Sequence, residues 1–372
     1  KGATPMQKNM TRREALATLA GLGLTGILAG CGTGASDSSA SDSSKSGGSK
    51  ASKAKAKATD DVVVRVASLK GPTTIGLVKM MDTTSGIPTD GAALPEDNSA
   101  KKGSGITYAY AVSASPDELL PQIIQGKVDI ACVPSNVGSV LYNKTEGKIR
   151  VIDVNTLGVL SVVTGDSSVA KFEDLAGKTV YVSGKGSSPE YVLDFLLGKA
   201  GIADKVTVEW KSEHAEVAAI LASDPAAVGI LPQPFTTATL VQNGSLKAPV
   251  DLTDVWKEYA TDGSEFVMGA TIVRAAFADE HPEAVEDFLR RHAKSVKQVN
   301  ADPKAAAPLV VKAGIVPKEP IAQKAIPQCN VVCITGKKMR RALEGYLQVL
   351  YDANKASVGG ALPADDFYYQ QA

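Results

Sequence analysis

The chain reads as an α/β protein of two lobes with a helical C-terminal tail. Three observations predict this. Short apolar strands alternate with helical stretches from Val62 to Val273, the alternation comes in two series, and beyond Val273 the pattern is nearly all helical. About 310 residues follow Asp61, enough for two domains and a sizeable core. What precedes them is of a different kind.

Arg12 and Arg13 are followed by an uncharged run of Ala, Leu, Gly, Thr and Ile from Ala15 to Gly30. A basic region, an apolar region and a small-residue site make an export signal, and the run falls short of the ~20 apolar residues a bilayer span needs. Leu28-Ala29-Gly30-Cys31 resembles the lipobox of bacterial lipoproteins, which implies lipidation of the Cys31 thiol and a signal peptide over residues 1–31. Thr11-Arg12-Arg13-Glu14-Ala15-Leu16 resembles a twin-arginine export motif, with Ala15 where a large apolar residue is usual. An ordinary signal that happens to hold two arginines reads equally well. Since Lys1 comes first, Met6 or Met10 is the expected native start. Residues 32–60, almost wholly Ser, Gly, Ala, Asp and Lys, offer nothing to build a core. As a coil they reach roughly 30 Å. Their lysines can favour anionic head groups or simply keep the spacer soluble.

Beyond residue 61 the elements follow in order. Val62–Ala67 is an apolar strand, and Gly71-Pro72-Thr73-Thr74 opens a helix through Met81. A polar loop at 83–104 leads to a strand at Ile106–Val112 with Tyr108 and Tyr110 on one face. Ser115-Pro116-Asp117-Glu118 reads as a capping box, Pro121 should kink the helix, and Gly126 ends it. Val128–Val133 is a strand, followed by a helix from Pro134-Ser135-Asn136 to about Asn143. Strands at Lys148–Asn155 and Val159–Thr164 precede the second series: strand Thr179–Ser183, helix Ser188–Lys199, strand Val206–Trp210, helix Ala215–Ala222, strand Ala227–Leu231 and a helix from Phe235. Phe266–Val273 is the last strong strand, and helices are expected at Pro282–Asn300, Pro303–Ala313, Lys318–Ala325 and Lys337–Ala353. Such alternation predicts parallel sheets covered by helices.

Four segments carry a resemblance. They are Gly126-Lys127-Val128-Asp129-Ile130, Leu175-Ala176-Gly177-Lys178-Thr179-Val180, Gly186-Ser187-Ser188 before a helix, and Phe277-Ala278-Asp279-Glu280-His281-Pro282-Glu283. In order and spacing, over most of residues 61–299, they resemble the sulfonate/nitrate/thiamine-precursor class of solute-binding proteins of ABC importers. The resemblance implies a two-lobed periplasmic-binding-protein-like type II fold with two hinge crossovers. Lobe 1 would then be 61–155 plus 268–372 and lobe 2 would be 156–267. It also implies a ligand in the cleft, and partners in an ABC permease and its ATPase. The chain would be a monomer, held by its lipid at the extracytoplasmic face of the cell membrane.

In open α/β sheets ligands bind where strands end and helices begin. Gly184-Lys185-Gly186-Ser187-Ser188 is the leading candidate, since glycines allow close backbone approach and serines add hydroxyl donors at a helix N-terminus. Ser187 and Ser188 can equally cap their own helix, with Glu190 completing a box. Lys70-Gly71-Pro72-Thr73-Thr74, Ser113, and Ser135-Asn136 end the first three strands and face the same expected cleft. Each has a plain reading as a strand-to-helix turn or cap. Gln233 in Leu231-Pro232-Gln233-Pro234-Phe235 stands where the class often has Glu, which favours a neutral or anionic ligand over a cation. Phe235, Tyr142 and the Tyr108/Tyr110 face can stack on a ring, or pack ordinarily. Lys70 and Lys185 are the candidate anion partners, against the commoner role of solvated lysines.

Other functions find little support. Forty basic residues balance forty acidic ones, so nothing suggests nucleic acid. There is no Gly-x-Ser-x-Gly, no His-Glu-x-x-His and no phosphate-loop lysine, so no catalytic residue or cofactor is expected. Enzymes of pyrimidine and menaquinone synthesis share related folds, but an export signal argues against that class. A ligand-sensing lipoprotein docking on a receptor is the alternative from another class. Cys132 reads as a buried thiol. Cys329 and Cys333 can be paired in an oxidising compartment or both face inward from a strand. His214, His281 and His292 are scattered along the chain, and no metal cluster with the thiols is expected.

Overall fold

The computed structural model describes residues 61–260 and 264–370, with only the backbone of Pro116 and Asp117. The export signal, Cys31 and the tether at 32–60 lie outside the described residues.

The apolar run Val62–Leu69 is β1, buried on both faces as a central strand must be. It pairs in parallel with β2 (Ile106–Ser113), in register from Val62–Ile106 to Leu69–Ser113. Tyr108 and Tyr110 on β2 are buried, with ring centroids 6.0 Å apart and nearly parallel planes, so this face packs in the core. Between the strands lie α1 (Pro72–Ile75) and α2 (Val78–Thr84). The single helix expected from Gly71 through Met81 is therefore broken. At the break the Gly76 backbone is pressed so close to its neighbours that a Cβ would lie 2.8 Å from Val331 and 3.2 Å from His292. Only glycine allows that approach.

Helix α3 (Pro116–Ile124) begins at Ser115, whose side chain makes no capping bond. Glu118 instead accepts the Ala114 N–H at 3.0 Å, one residue further back than a capping box requires. Gly126, at φ +71°, closes the helix as expected. Its carbonyl accepts from Arg65, whose guanidinium also meets Asp129 at 2.8 and 3.0 Å, inside the sheet. The Gly-Lys-Val-Asp-Ile motif is thus a support for the only charge on β1. Next come β3 (Ile130–Pro134), α4 (Ser135–Lys144) and β4 (Ile149–Leu157).

A second sheet follows, with β5 (Leu160–Thr164), β6 (Thr179–Ser183), α5 (Ser188–Lys199), β7 (Thr207–Lys211), α6 (His214–Ser223), β8 (Val228–Pro232) and α7 (Phe235–Gln242). Two further elements were not legible in the sequence: β9 (Lys247–Asp251) and α8 (Leu252–Tyr259). β9 is an exposed edge strand of Lys-Ala-Pro-Val-Asp, and Pro is tolerated in a strand only at such an edge. The chain returns along β10 (Val267–Arg274). Then come α9 (Ala275–Glu280), α10 (Pro282–Ala301), α11 (Pro303–Lys312), α12 (Glu319–Ala325), β11 (Val331–Ile334) and α13 (Gly336–Ala353).

The sheets run β11-β4-β10-β3-β1-β2 and β7-β6-β8-β5-β9. They are mixed, which corrects the parallel expectation. β10 is antiparallel to both β3 and β4, and β5 is antiparallel to β8 and β9. The reason is topological: the chain leaves the first sheet along β4 and comes back along β10, so these neighbours must point in opposite directions. The apolar face of α13 (Met339, Leu343, Tyr346, Leu347, Leu350) shares one core with Val192 and Leu196 of α5 and Trp256 of α8. The C-terminal helix therefore packs on elements of the second sheet as well as the first. No helix among the described residues is long and apolar enough to cross a membrane.

Cys132 is a buried thiol, as expected, and burial pushes its ionisation up to about 12. Cys329 is buried, Cys333 is half-buried, and both are free thiols.

Candidate functional site

Where β3 ends and α4 begins, Ser135 and Asn136 are both buried. Ser135 donates to the Val267 carbonyl at 2.5 Å, tying α4 to the start of β10. Asn136 donates through Nδ2 to the Ser357 carbonyl at 3.1 Å, and its Oδ1 accepts from the Ser188 hydroxyl at 3.0 Å. Ser188 opens α5, which follows β6 of the second sheet. Two candidates from different sheets are thus in direct contact. Neither α4 nor α5 has a side-chain cap: Pro134 and Ser187 hold the N-cap positions without a capping bond. Their first-turn N–H groups lack side-chain acceptors, and the partial positive ends of both helices lie side by side. Tyr346 of α13 is buried next to Ser135 and Ser188, and burial raises the pKa of its hydroxyl.

Ser187 donates to the Gly184 carbonyl at 2.7 Å, and Glu190 accepts the Gly186 N–H at 2.5 Å. The capping box considered for Ser187, Ser188 and Glu190 is not formed; Glu190 reaches past the N-cap to Gly186. Lys185 and Gly186 are exposed.

A second group gathers where β6 and β8 end. The Gln233 side-chain oxygen accepts from the Thr237 N–H at 3.3 Å and from its hydroxyl at 2.8 Å. The Gln233 amide nitrogen has no protein acceptor among the described residues. The Phe235 ring stands 5.1 Å from the imidazole of His214, which is hydrogen bonded to the Ser183 hydroxyl. Burial pushes His214 down to about 4, so its ring is neutral at pH 7. Sequence reasoning missed Ser183, His214 and Tyr346. Ser183 ends an expected strand, and the rule that found Ser135 would have found it too; nothing marked Tyr346.

The other candidates are dispersed. Thr73 and Thr74 both donate to the Leu69 carbonyl, at 3.2 and 2.6 Å, and the Thr74 hydroxyl also shares a 2.7 Å hydrogen bond with the Ser68 hydroxyl. Their hydroxyls secure the end of β1. Gly71, at φ +150°, makes the turn. Lys70 is paired with Asp90 at 2.9 Å, so its charge is already met within the chain. Lys70 and Ser113 line a cavity of about 950 Å³ under residues 90–96, flanked by Glu118 and Lys127 and without any residue of the second sheet. The structure therefore brings Ser135, Asn136 and Ser188 together, and Gln233 with Phe235, while Lys70 and Ser113 open elsewhere. Tyr142 packs edge-on against Phe367 and donates to Asp366 at 2.5 Å, a core role.

His292 is not isolated from the thiols: it lies with buried Asp153 and half-buried Cys333, their ligand atoms within 4.8 Å of one another. Pairing of β11 with β4 sets residue 333 beside residue 153, a proximity no local pattern reveals.

Two mixed sheets joined by β4 and β10, with uncapped helix N-termini meeting across them, define a two-lobed α/β binding-protein fold. The chain belongs to the NMT1/THI5-like family, whose model matches residues 102–306, more than half of the chain. Among solved structures it is similar to an ABC transporter protein of Parabacteroides distasonis (TM-score 0.68, 19% identity, covering 84% of this chain and 100% of that one). It is similar also to the periplasmic aliphatic sulphonate binding protein SsuA of Escherichia coli (0.63, 14%, 83% and 92%). A third is the alkanesulfonate-binding SsuA of Xanthomonas axonopodis pv. citri bound to MOPS (0.58, 12%, 80% and 94%). At these identities the likeness is one of fold. A search of curated proteins gave no match. Family and neighbours agree with the class expected from the four motifs.

Proposed function

We propose that this protein is the substrate-binding lipoprotein of an ABC importer, anchored through Cys31 at the extracytoplasmic face. It captures a small neutral or anionic organic solute between lobes comprising 61–155 plus 268–372 and 156–267, and delivers it to the permease. The observation that carries this reading is the Asn136–Ser188 hydrogen bond, which brings two uncapped helix N-termini to one place. Such a place favours negative charge or a strong acceptor. The Ser135, Ser188 and Tyr346 hydroxyls and the Asn136 amide gather here, while Gln233, Phe235 and the neutral His214 imidazole form the second group at the ends of β6 and β8. The Glu190 carboxylate on α5 is taken up by the Gly186 N–H, Lys70 is paired with Asp90 in the separate cavity, and Lys185 is exposed. The Gln233 amide and the Phe235 and His214 rings suit a solute with a polar head and a flat or apolar body. Closure would be a hinge motion in the two crossovers near Asn155 and Met268.

A thermal-shift panel of sulfonates, nitrate, pyrimidines, aromatic carboxylates and amino acids tests this. A true ligand at a hundred times its dissociation constant adds about 2.7 kcal/mol of stability. One chemical group is expected to raise the melting temperature, and Ser187→Ala with Ser188→Ala to weaken that ligand while the fold persists by circular dichroism. Undiminished affinity in the double variant removes the site.

A further inference from the structure

Away from that cleft, Asp153 of β4, His292 of α10 and Cys333 of β11 meet inside the first-sheet half of the molecule. Asp153 and His292 are fully buried and Cys333 is half-buried. His292 Nδ1 lies 2.9 Å from Asp153 Oδ2, and Cys333 Sγ lies 3.9 Å from the same oxygen. We propose that these three side chains form a binding site for a divalent transition metal of the zinc type.

The distances suit such an ion. With metal bonds of 2.0–2.3 Å, the ligand atoms of a tetrahedral zinc site stand about 3.3–3.7 Å apart. The set here brackets that spacing, so small side-chain shifts admit the ion. The donors are one nitrogen, one carboxylate oxygen and one sulfur. This mixture selects borderline metals and disfavours magnesium and calcium, which take oxygen. Once the Cys333 proton has left for solvent, a carboxylate and a thiolate neutralise the two positive charges, which a buried ion requires.

The surroundings orient the ligands. Asp153 Oδ1 accepts from the Thr271 hydroxyl at 2.7 Å, and Thr271 in turn accepts from the Asn155 amide at 3.1 Å. Such second contacts hold a ligating carboxylate in place. His292 Nε2 is buried without a hydrogen-bond partner, and it faces Gly76, the residue whose missing Cβ makes room for it. Nδ1 is therefore the nitrogen directed to the cluster. Access also exists: Cys333 lines a surface cavity of about 220 Å³ with Leu289, Arg290, Ala293 and Thr335, so an ion can enter there and a water can complete its shell.

The test uses the full chain titrated with cobalt chloride and then with zinc chloride. A thiolate-to-cobalt absorption band is expected at one equivalent, quenched by zinc, and zinc alone should raise the melting temperature. Cys333→Ser should abolish the band and the thermal shift. Thr271→Val, which keeps all three ligands, should weaken zinc 10- to 100-fold. No band, or no zinc-dependent shift, overturns the proposal. So does a band that survives Cys333→Ser and is lost in Cys31→Ser, since the metal would then belong to the N-terminal thiol. Cys333→Ala is the second variant should serine at 333 disturb folding, with the same two readings.

Discussion

The two halves of the molecule bury different chemistry. Around the first sheet, Arg65, Asp129, Asp153, Asp287 and His292 are all buried. In the described part of 160–259 the buried polar residues are Thr164, Ser183, Ser188, Gln233, Thr236, Thr237 and Thr239, none of them ionised. That half rests on apolar packing, with Trp256 stacked on Phe266 at 5.3 Å and tilted against Tyr346 of α13 at 5.4 Å. A buried charge demands its partner, whereas an apolar core demands only volume. The first half should therefore respond sharply to loss of a partner or to acid, and the second should respond to cavities.

The largest effect should come from Asp129. It accepts from Arg65 at 2.8–3.0 Å, from Arg274 at 2.8 Å and from Asn98 at 2.5 Å. Asp129→Ala leaves a guanidinium buried without its counter-charge, and should cost about 3–5 kcal/mol by urea denaturation. Burial alone would raise this carboxyl's pKa, but its hydrogen bonds to the two arginines outweigh burial and hold it below the usual carboxylate range. A depressed pKa adds stability above the unfolded value near 4, lost as pH falls toward the folded value. Asp129→Asn should flatten stability across that window.

In the second half, Leu196→Ala should cost about 2–5 kcal/mol. Leu196 is fully buried against apolar neighbours, so the loss should be the same at pH 5 and pH 8. A pH-dependent loss would break the contrast drawn above.

His214 offers a sharper test, as a titrating group within the apolar half. Its folded pKa, pushed down to about 4 by burial, lies below the unfolded value near 6.5. Between those values the unfolded chain binds the proton and the folded chain does not. Stability should fall as pH drops through that window, by at most about 1.4 kcal/mol per pH unit. His214→Gln should remove the slope in a melting-temperature series.

The smallest effect is expected where the halves touch. Ser188→Ala removes the hydrogen bond to Asn136, worth about 0.5–1.5 kcal/mol. Calorimetry with the panel's ligand should show a loss of roughly 2- to 10-fold in affinity. Asn136→Ala should do no worse in combination than alone if the bond is the shared contribution.

Much of this was legible in the sequence. The helix at Ser188–Lys199 and the strand at Thr179–Ser183 fall where periodicity put them, because each carries a strong local pattern between turn residues. β9 escaped because an edge strand need not be apolar, and α1 and α2 were fused because the break at Gly76 answers to Val331 and His292, more than 200 residues away. The strand-end rule located Ser135, Asn136 and Ser188 individually. It could not show that Asn136 meets Ser188, nor that Lys70 has Asp90 as its partner.

The sequence alone determined the alternation of elements, the two series, the family motifs and the neutral character of Gln233, since these depend on local propensity and residue identity. Tertiary structure decided the antiparallel β4 and β10, the meeting of Asn136 with Ser188 and the cluster of Asp153, His292 and Cys333. Those depend on which distant segments share a sheet, and one pairing, β11 on β4, carries residue 333 to residue 153 across a separation of 180 positions.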